Sequence, residues 1–134
     1  MATIVVDTDV LSFLFRNDSR AELYRTHLTG QLLVISFMTV AELELWTLQN
    51  GWGPARRARL ETYLQSYVMY PVHRALCRRW AAVVARARRA GRPIQSADAW
   101  IAATALVQGA ALVTRNARDY QTVEQLTIIT ESAS

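Results

Sequence analysis

Four carboxylates interrupt or follow apolar stretches of this chain and are its strongest candidates for chemistry: Asp7, Glu42, Asp98 and Asp119. Asp7 directly follows the apolar run 4–6, and Asp119 comes soon after another, 111–113. Open α/β sheets bind ligands beyond the carboxyl ends of their parallel strands. We therefore expect these side chains to converge at one edge of a sheet.

Carboxylates that converge need a proton or a cation between them. At a separation of about 4 Å, two like charges repel by about 4 kcal/mol in an effective dielectric constant of about 20. Oxygen ligands suit hard cations such as Mg²⁺ or Mn²⁺, and Mg²⁺ usually keeps several waters. A bound divalent ion lowers the pKa of its water and stabilises charge on a phosphoryl group. The four acids therefore predict metal-dependent hydrolysis of a phosphodiester.

Each acid also has a purely structural interpretation. Asp7 could cap a helix, Asp98 could stabilise the start of a helix through its dipole, and Asp119 could hold a turn. Glu42 is harder to explain in this way, because its neighbours at 40, 41 and 43 are apolar.

Three polar residues are candidates for a supporting role. Thr114 and Asn116 could hold a carboxylate or a water molecule by hydrogen bonds. Asp9 is either an outer metal ligand or an acid that interacts with the dipole of the first helix, and we favour the second interpretation.

All 15 cationic side chains are arginines, which excludes chemistry that needs a lysine amine, such as a Schiff base. Ten of them lie in residues 56–92, where Glu61 is the single acid, so this segment has nine excess positive charges. The excess indicates a polyanionic partner, although a solvated helical surface is the alternative. The candidate nucleic-acid contacts are Arg86, Arg88 and Arg89.

The size of the chain predicts one domain. With 134 residues, 51% of them hydrophobic, it can build one core, so we assign residues 1–134 to a single domain. No apolar run reaches the roughly 18 residues that a membrane span needs, and no leader pattern is present, so we expect a cytoplasmic protein. Cys77 is the single cysteine, which excludes an intrachain disulfide.

The positioning elements alternate between strand and helix. β-Branched and apolar runs predict strands at 3–6, 32–35, 68–72, 111–113 and 126–129. Helical periodicity and caps predict helices at 10–15, 20–29, 38–49, 54–66, 73–90 and 97–107, with Ser96 capping the last. This pattern is typical of an α/β fold with a central parallel sheet of four to five strands flanked by helices. Residues 131–134 are expected to be a frayed tail.

The segments around the four acids resemble the motifs of a PIN domain and, within that superfamily, of the VapC-type toxin ribonucleases of bacterial toxin–antitoxin pairs. The resembling segments are 4–12, 36–43, 96–105 and 112–120. The resemblance implies a single PIN-like domain that cuts RNA with Mg²⁺ or Mn²⁺. In it, Asp7, Glu42, Asp98 and Asp119 would be the catalytic metal ligands, supported by Thr114 and Asn116.

The resemblance also implies partners. It predicts a homodimer that is inhibited by a cognate antitoxin and that acts on structured RNA such as tRNA or rRNA. The family often has Asn or Ser where this chain has Asp9, which puts the number of metal ions in question. Trp46, Leu48 and Trp52 are either part of an antitoxin groove or ordinary core and interface residues.

Two other function classes remain open. The first segment also resembles the acid pair of haloacid-dehalogenase-like phosphohydrolases, in which the first aspartate is a nucleophile. That family usually has a later lysine, which this chain lacks. In the second alternative, the chain is a non-catalytic nucleic-acid or protein binding module whose acids are caps. Metal dependence separates it from a nuclease.

Overall fold

Five strands form one sheet in the computed structural model, which describes residues 1–131. They are β1 (Thr3–Val6), β2 (Leu32–Ser36), β3 (Val68–Tyr70), β4 (Ala111–Val113) and β5 (Ile128–Ile129). The strand order is β3-β2-β1-β4-β5, and every neighbouring pair is parallel. This confirms the predicted α/β fold, with five strands.

Six helices flank the sheet. They are α1 (Thr8–Phe15), α2 (Ala21–Leu28), α3 (Phe37–Gln49), α4 (Pro54–Leu64), α5 (Arg74–Arg89) and α6 (Ser96–Gln108), and a 3₁₀ turn (Ala117–Tyr120) follows β4. Most ends lie within two residues of the predicted ones, which is the ordinary uncertainty of a helix boundary.

The central strand β1 is buried on both faces. Ile4 and Val6 pack with Tyr24 and other residues on one face, while Val5 packs with Ile101 on the other. Successive side chains of a strand point to opposite faces, so one short run of β-branched residues joins both layers of the core. Burial of each such side chain contributes about 1.5 kcal/mol or more.

The two helices α5 and α6 pack against each other and place Asp98 near the sheet. Apolar side chains of α5, such as Leu76 and Val84, are buried, whereas its arginines lie on the opposite face. Trp80 of α5 stacks on Trp100 of α6, with ring centroids 5.0 Å apart. Although α6 is strongly apolar, no helix among residues 1–131 is long and apolar enough to cross a bilayer.

Three predicted details are wrong. Gln95, not Ser96, is the N-cap residue of α6, and it makes no side-chain capping hydrogen bond, because Ser96 already belongs to the first turn of the helix. The strand predicted at 68–72 ends at Tyr70, since Pro71 has no N–H to donate to the sheet. The last strand does not begin at 126, because Gln125 has a positive φ of 64° and the chain is still turning there.

Glu131, the last residue that the structure describes, contacts α2. The Tyr24 hydroxyl donates a hydrogen bond to the Glu131 carbonyl at 3.1 Å, and His27 Nε2 lies 2.8 Å from Glu131 Oε1. The predicted frayed tail is therefore wrong at its first residue. The rest of that prediction, 132–134, lies outside the described residues.

Candidate active site

All four candidate acids line one cleft at the carboxyl ends of the strands. Asp7 directly follows the central strand β1, Glu42 lies in α3, Asp98 lies in the first turn of α6, and Asp119 lies in the 3₁₀ turn after β4. The cleft has a volume of about 430 Å³ and is also lined by Thr8, Asp9, Ser12, Phe13, Arg16, Trp46 and Asn116. Five carboxylates therefore share one small space.

Asp7 is the buried acid of the cleft and is held from three directions. Its Oδ2 accepts hydrogen bonds from the Thr114 hydroxyl at 2.7 Å and the Tyr120 hydroxyl at 2.8 Å, and its Oδ1 accepts one from the Thr8 N–H at 2.7 Å. Burial raises the pKa of Asp7, while these hydrogen bonds favour the ionised form. The side chain is therefore fixed in one orientation.

Glu42 is held by the first residue of α1. The Thr8 hydroxyl donates to Glu42 Oε1 at 2.7 Å and lies 2.9 Å from the Thr39 hydroxyl. Desolvation raises the pKa of Glu42, and the nearby charge of Asp7 adds to this effect. Thr8 thus connects α1 to α3 and aims Glu42 into the cleft.

The side-chain amide of Asn116 contacts Asp9, whereas its backbone carbonyl accepts a hydrogen bond from the N–H of Asp119 at 2.9 Å. Its Nδ2 donates to Asp9 Oδ2 at 2.8 Å, and Asp9 Oδ1 accepts a hydrogen bond from the Val10 N–H at 2.7 Å. Burial and the charge of Asp7 raise the pKa of Asp9 to about 7. Asp9 lies in the first turn of α1, as we expected, but it also lines the cleft together with the four predicted acids.

The pKa of Asp98 reflects the other carboxylates that surround it. Its pKa is raised to about 7, first by desolvation and then by the charges of Asp7, Asp119 and Glu42. A second hollow of about 450 Å³ also contains Asp98 and Asp119, together with Arg92 and Arg118. Negative and positive side chains therefore lie side by side along the same edge of the protein.

The chemistry of this donor set suits a hard divalent cation. The five carboxylates of the cleft present oxygen ligands, with amide and hydroxyl oxygens beside them, and desolvation and repulsion by neighbouring acids raise the pKa of both Asp9 and Asp98. Among residues 1–131, no three acidic, histidine or cysteine side chains already stand as a ready metal-binding group. Because Asp7 is held in place by three hydrogen bonds, an ion would need the less buried carboxylates, such as those of Asp98 and Asp119, to move closer to it.

Sequence comparison identifies the family. A model of the PIN domain matches residues 4–124. The chain belongs to the PIN-domain family. It is 34% identical over 98 residues to Ribonuclease VapC4 of Mycobacterium tuberculosis, covering 72% of this chain and 75% of that protein. It is also 32% identical over 126 residues to Ribonuclease VapC1 of Haemophilus influenzae, covering 91% and 92% of the two chains.

Solved structures have the same fold. The structure of VapBC-1 from nontypeable Haemophilus influenzae is 25% identical, has a TM-score of 0.81, and the match covers 96% of this chain and 97% of that one. A toxin–antitoxin complex from Klebsiella pneumoniae is 21% identical, with a TM-score of 0.76 and coverage of 95% and 96%, and shares the fold. The family match leaves the phosphohydrolase interpretation without support.

Two residues of this PIN domain that contact its acids were missed from the sequence. Thr8 and Tyr120 are each adjacent to a predicted acid, and that adjacency is the one signal that could have indicated them. Whether the residue next to an acid points into the cleft depends on the backbone conformation there. The sequence pattern did not predict the 3₁₀ turn that directs Tyr120 toward Asp7.

The three arginines predicted to contact nucleic acid do not line the acidic cleft. Arg86, Arg88 and Arg89 lie in the last turn of α5 and are exposed. Arg86 forms an ion pair with Glu124. Their role in RNA binding stays a prediction. Arg16 lines the acidic cleft itself, and Arg92 and Arg118 share the second hollow with Asp98 and Asp119.

Proposed function

We propose that this PIN domain is a Mg²⁺- or Mn²⁺-dependent endoribonuclease, the toxin of a toxin–antitoxin pair. The observation that carries the proposal is the acidic cleft at the end of β1, in which carboxylates from α1, α3, α6 and the 3₁₀ turn meet around the buried Asp7. The names of the VapC relatives support RNA as the substrate class.

The residues of the cleft have distinct tasks in this proposal. Asp7, Glu42, Asp98 and Asp119 would hold the ion, which would supply a water of lowered pKa and offset charge on the scissile phosphate. Thr114, Tyr120 and Thr8 keep Asp7 in place, and Thr8 also positions Glu42. Asn116 positions Asp9, which would add negative charge at the margin of the ion site.

The surface charge fits a polyanionic substrate. The net charge of the chain is +4, and Arg92 and Arg118 share a hollow with Asp98 and Asp119. Arginine contacts to phosphates position a nucleic acid without reading its sequence. In our proposal this hollow receives the RNA backbone next to the scissile phosphate, and the exposed arginines of α5 extend the contact to a structured RNA such as tRNA or rRNA.

The proposal includes protein partners. The names of the VapBC-1 structure and of the toxin–antitoxin complex support a cognate antitoxin. We further propose a homodimer that acts in the cytoplasm. Light scattering of the purified chain at micromolar concentration would test the homodimer, which a monomer would contradict.

The deciding experiment is end-mapping of total RNA after induced expression. The native chain should produce new 5′ ends at defined positions, and Asp7→Asn and Asp98→Asn should produce none. The matched control is Glu44→Gln, because Glu44 lies on the same helix as Glu42 but is exposed and outside the cleft. Cleavage that survives in Asp7→Asn, or that continues in excess chelator, would refute the proposal. RNA binding without cleavage would favour the binding-module alternative.

A further inference from the structure

The acidic cleft has an aromatic end that metal-dependent hydrolysis does not explain. Besides the acids, its lining includes Phe13, Arg16 and Trp46. Phe13 is buried, whereas Trp46 is partly exposed and Arg16 is exposed. An accessible tryptophan and a guanidinium therefore lie in the same 430 Å³ space as the carboxylates.

Two helices place the aromatic end next to the acids in the same way. In α3, Trp46 follows Glu42 by four residues, and in α1, Phe13 follows Asp9 by four. Residues four apart share one helix face, and one turn advances about 5.4 Å along the axis. The cleft between α1 and α3 thus runs from carboxylates to aromatic rings over about one helical turn.

The ring of Trp46 packs against other side chains. The ring of Trp52 lies 5.8 Å from that of Trp46, and Trp52 in turn stacks on Phe15 at 5.8 Å. The Arg16 guanidinium lies 5.6 Å from the centroid of the Trp46 ring. A flat ring on a packed support, with a cationic plane beside it, suits a flat and electron-rich ligand group.

We infer that Trp46 and Arg16 form a stacking subsite for one unpaired nucleobase, adjacent to the phosphate that is cut. The inference rests on the proposed nuclease function and specifies how RNA enters the cleft. Nucleobases stack on aromatic rings and on guanidinium planes, and the positive charge of Arg16 also complements a phosphate. A base in a duplex is already stacked and paired, so the RNA must be single-stranded at this nucleotide.

A binding assay with two probes of equal charge tests the subsite. One probe is single-stranded pentaadenylate, and the other is the abasic ribose-phosphate pentamer. Both are measured at about 0.15 M salt with the full chain in an Asp98→Asn background, so that neither is cut. Trp46→Leu should weaken pentaadenylate binding about tenfold and leave the abasic probe unchanged. Trp46→Phe, which keeps an aromatic ring, should stay within about threefold of the parent.

The control variant is Trp80→Leu, the same substitution at a ring that stacks on Trp100 away from the cleft. It should leave both probes unchanged. Equal effects of Trp46→Leu on the two probes, or no effect on either, would overturn the inference. In the second case Trp46 would be free to serve a protein partner such as an antitoxin segment.

A measurement without substitution guards against a variant that does not fold. Irradiation of the Asp98→Asn chain with 5-iodouridine pentamers should cross-link the peptide that contains Trp46. Cross-links confined to other aromatic residues would overturn the subsite. If the two probes differ as expected but the native chain cuts no RNA, the subsite stands and the nuclease proposal fails. If the native chain cuts RNA but the two probes do not differ, the nuclease proposal stands and the subsite fails.

Discussion

Tyr120 and Asp7 lie 113 positions apart in the chain and are joined by a hydrogen bond of 2.8 Å inside the acidic cleft. The tyrosine comes from the 3₁₀ turn after β4, and the aspartate from the end of β1. Burial, followed by the charge of Asp7, raises the pKa of Tyr120, which favours the protonated hydroxyl that donates to Asp7. The hydrogen bond therefore connects the turn after β4 to the buried acid at the end of β1.

Removal of this hydroxyl should destabilise the fold. Tyr120→Phe leaves Asp7 with two of its three donors, and a hydrogen bond to a charged group contributes about 1.5 to 3 kcal/mol. We expect a loss of that order in the free energy of unfolding, measured by urea titration at pH 8. Tyr70→Phe is the control, because the Tyr70 hydroxyl meets the exposed ring of His73. Equal losses in both variants would contradict a special role for Tyr120.

Stability without metal should fall as the pH rises toward neutrality. Unfolded aspartates titrate near pH 4, whereas the pKa of Asp98 in the folded chain is about 7. Between these pH values the folded chain keeps a proton that the unfolded chain has released, so stability is present at low pH and is lost as the pH passes through 7. Melting temperatures in EDTA from pH 5 to 8 will show this decline.

The variant Asp98→Asn supplies the comparison for the pH series. Its residue 98 cannot ionise, so its decline should be smaller than that of the native chain. The remainder is due to Asp9, whose pKa is raised to about 7, and to Asp7 and Glu42, whose pKa values are also raised. Parallel pH profiles for the native chain and Asp98→Asn would refute the assigned cause.

Divalent cations should reverse this loss. An ion that binds the folded chain stabilises it by about 2.7 kcal/mol at a hundredfold excess over its dissociation constant. At pH 8, added MnCl₂ should therefore raise the melting temperature of the native chain and of Glu44→Gln. The same addition should have little effect on Asp7→Asn or Asp119→Asn. A native chain whose melting temperature ignores Mn²⁺ would argue against the ion site.

The basic end of α5 should govern the salt dependence of RNA binding. Removing one arginine that neutralises a phosphate of single-stranded RNA lowers the slope of log affinity against log salt by about 0.7. Arg88→Ser and Arg89→Ser should lower this slope more than Arg86→Ser, because Arg86 is paired with Glu124. Arg25→Ser, on α2 and paired with Glu22, is the control. A slope that none of the α5 variants changes would remove this surface from the RNA interface.

Much of this fold could be predicted because its signals are local. The runs 3–6 and 111–113 are short, β-branched or apolar, and each is followed by polar residues, so their assignment as parallel strands predicted where the acids gather. The breaks in prediction also have local causes: Pro71 shortens β3, and the positive φ of Gln125 delays β5. Pro71 was visible in the sequence as a signal against a strand at 71–72. The positive φ of Gln125, in contrast, is not indicated by its residue type.

The acids of the candidate site could be predicted from the sequence, but the hydrogen bonds that hold them could not. The positions of Asp7, Glu42, Asp98 and Asp119 indicated which acids meet, whereas the hydrogen bonds among their neighbours depend on three-dimensional packing. The choice of Asp9 over Asp7 as the partner of Asn116 illustrates this, because both acids lie in the same short segment and only the folded geometry distinguishes them.

The strand order has a consequence for biosynthesis. Strand β1 precedes the other four strands in the sequence and becomes the middle of the finished sheet, while Asp119 and Tyr120 follow its neighbour β4 much later in the sequence. A nascent chain therefore lacks one wall of the cleft until translation has passed these residues. In the function proposed above, a chain that still lacks Asp119 and Tyr120 has an incomplete cleft and would not cut the message that encodes it.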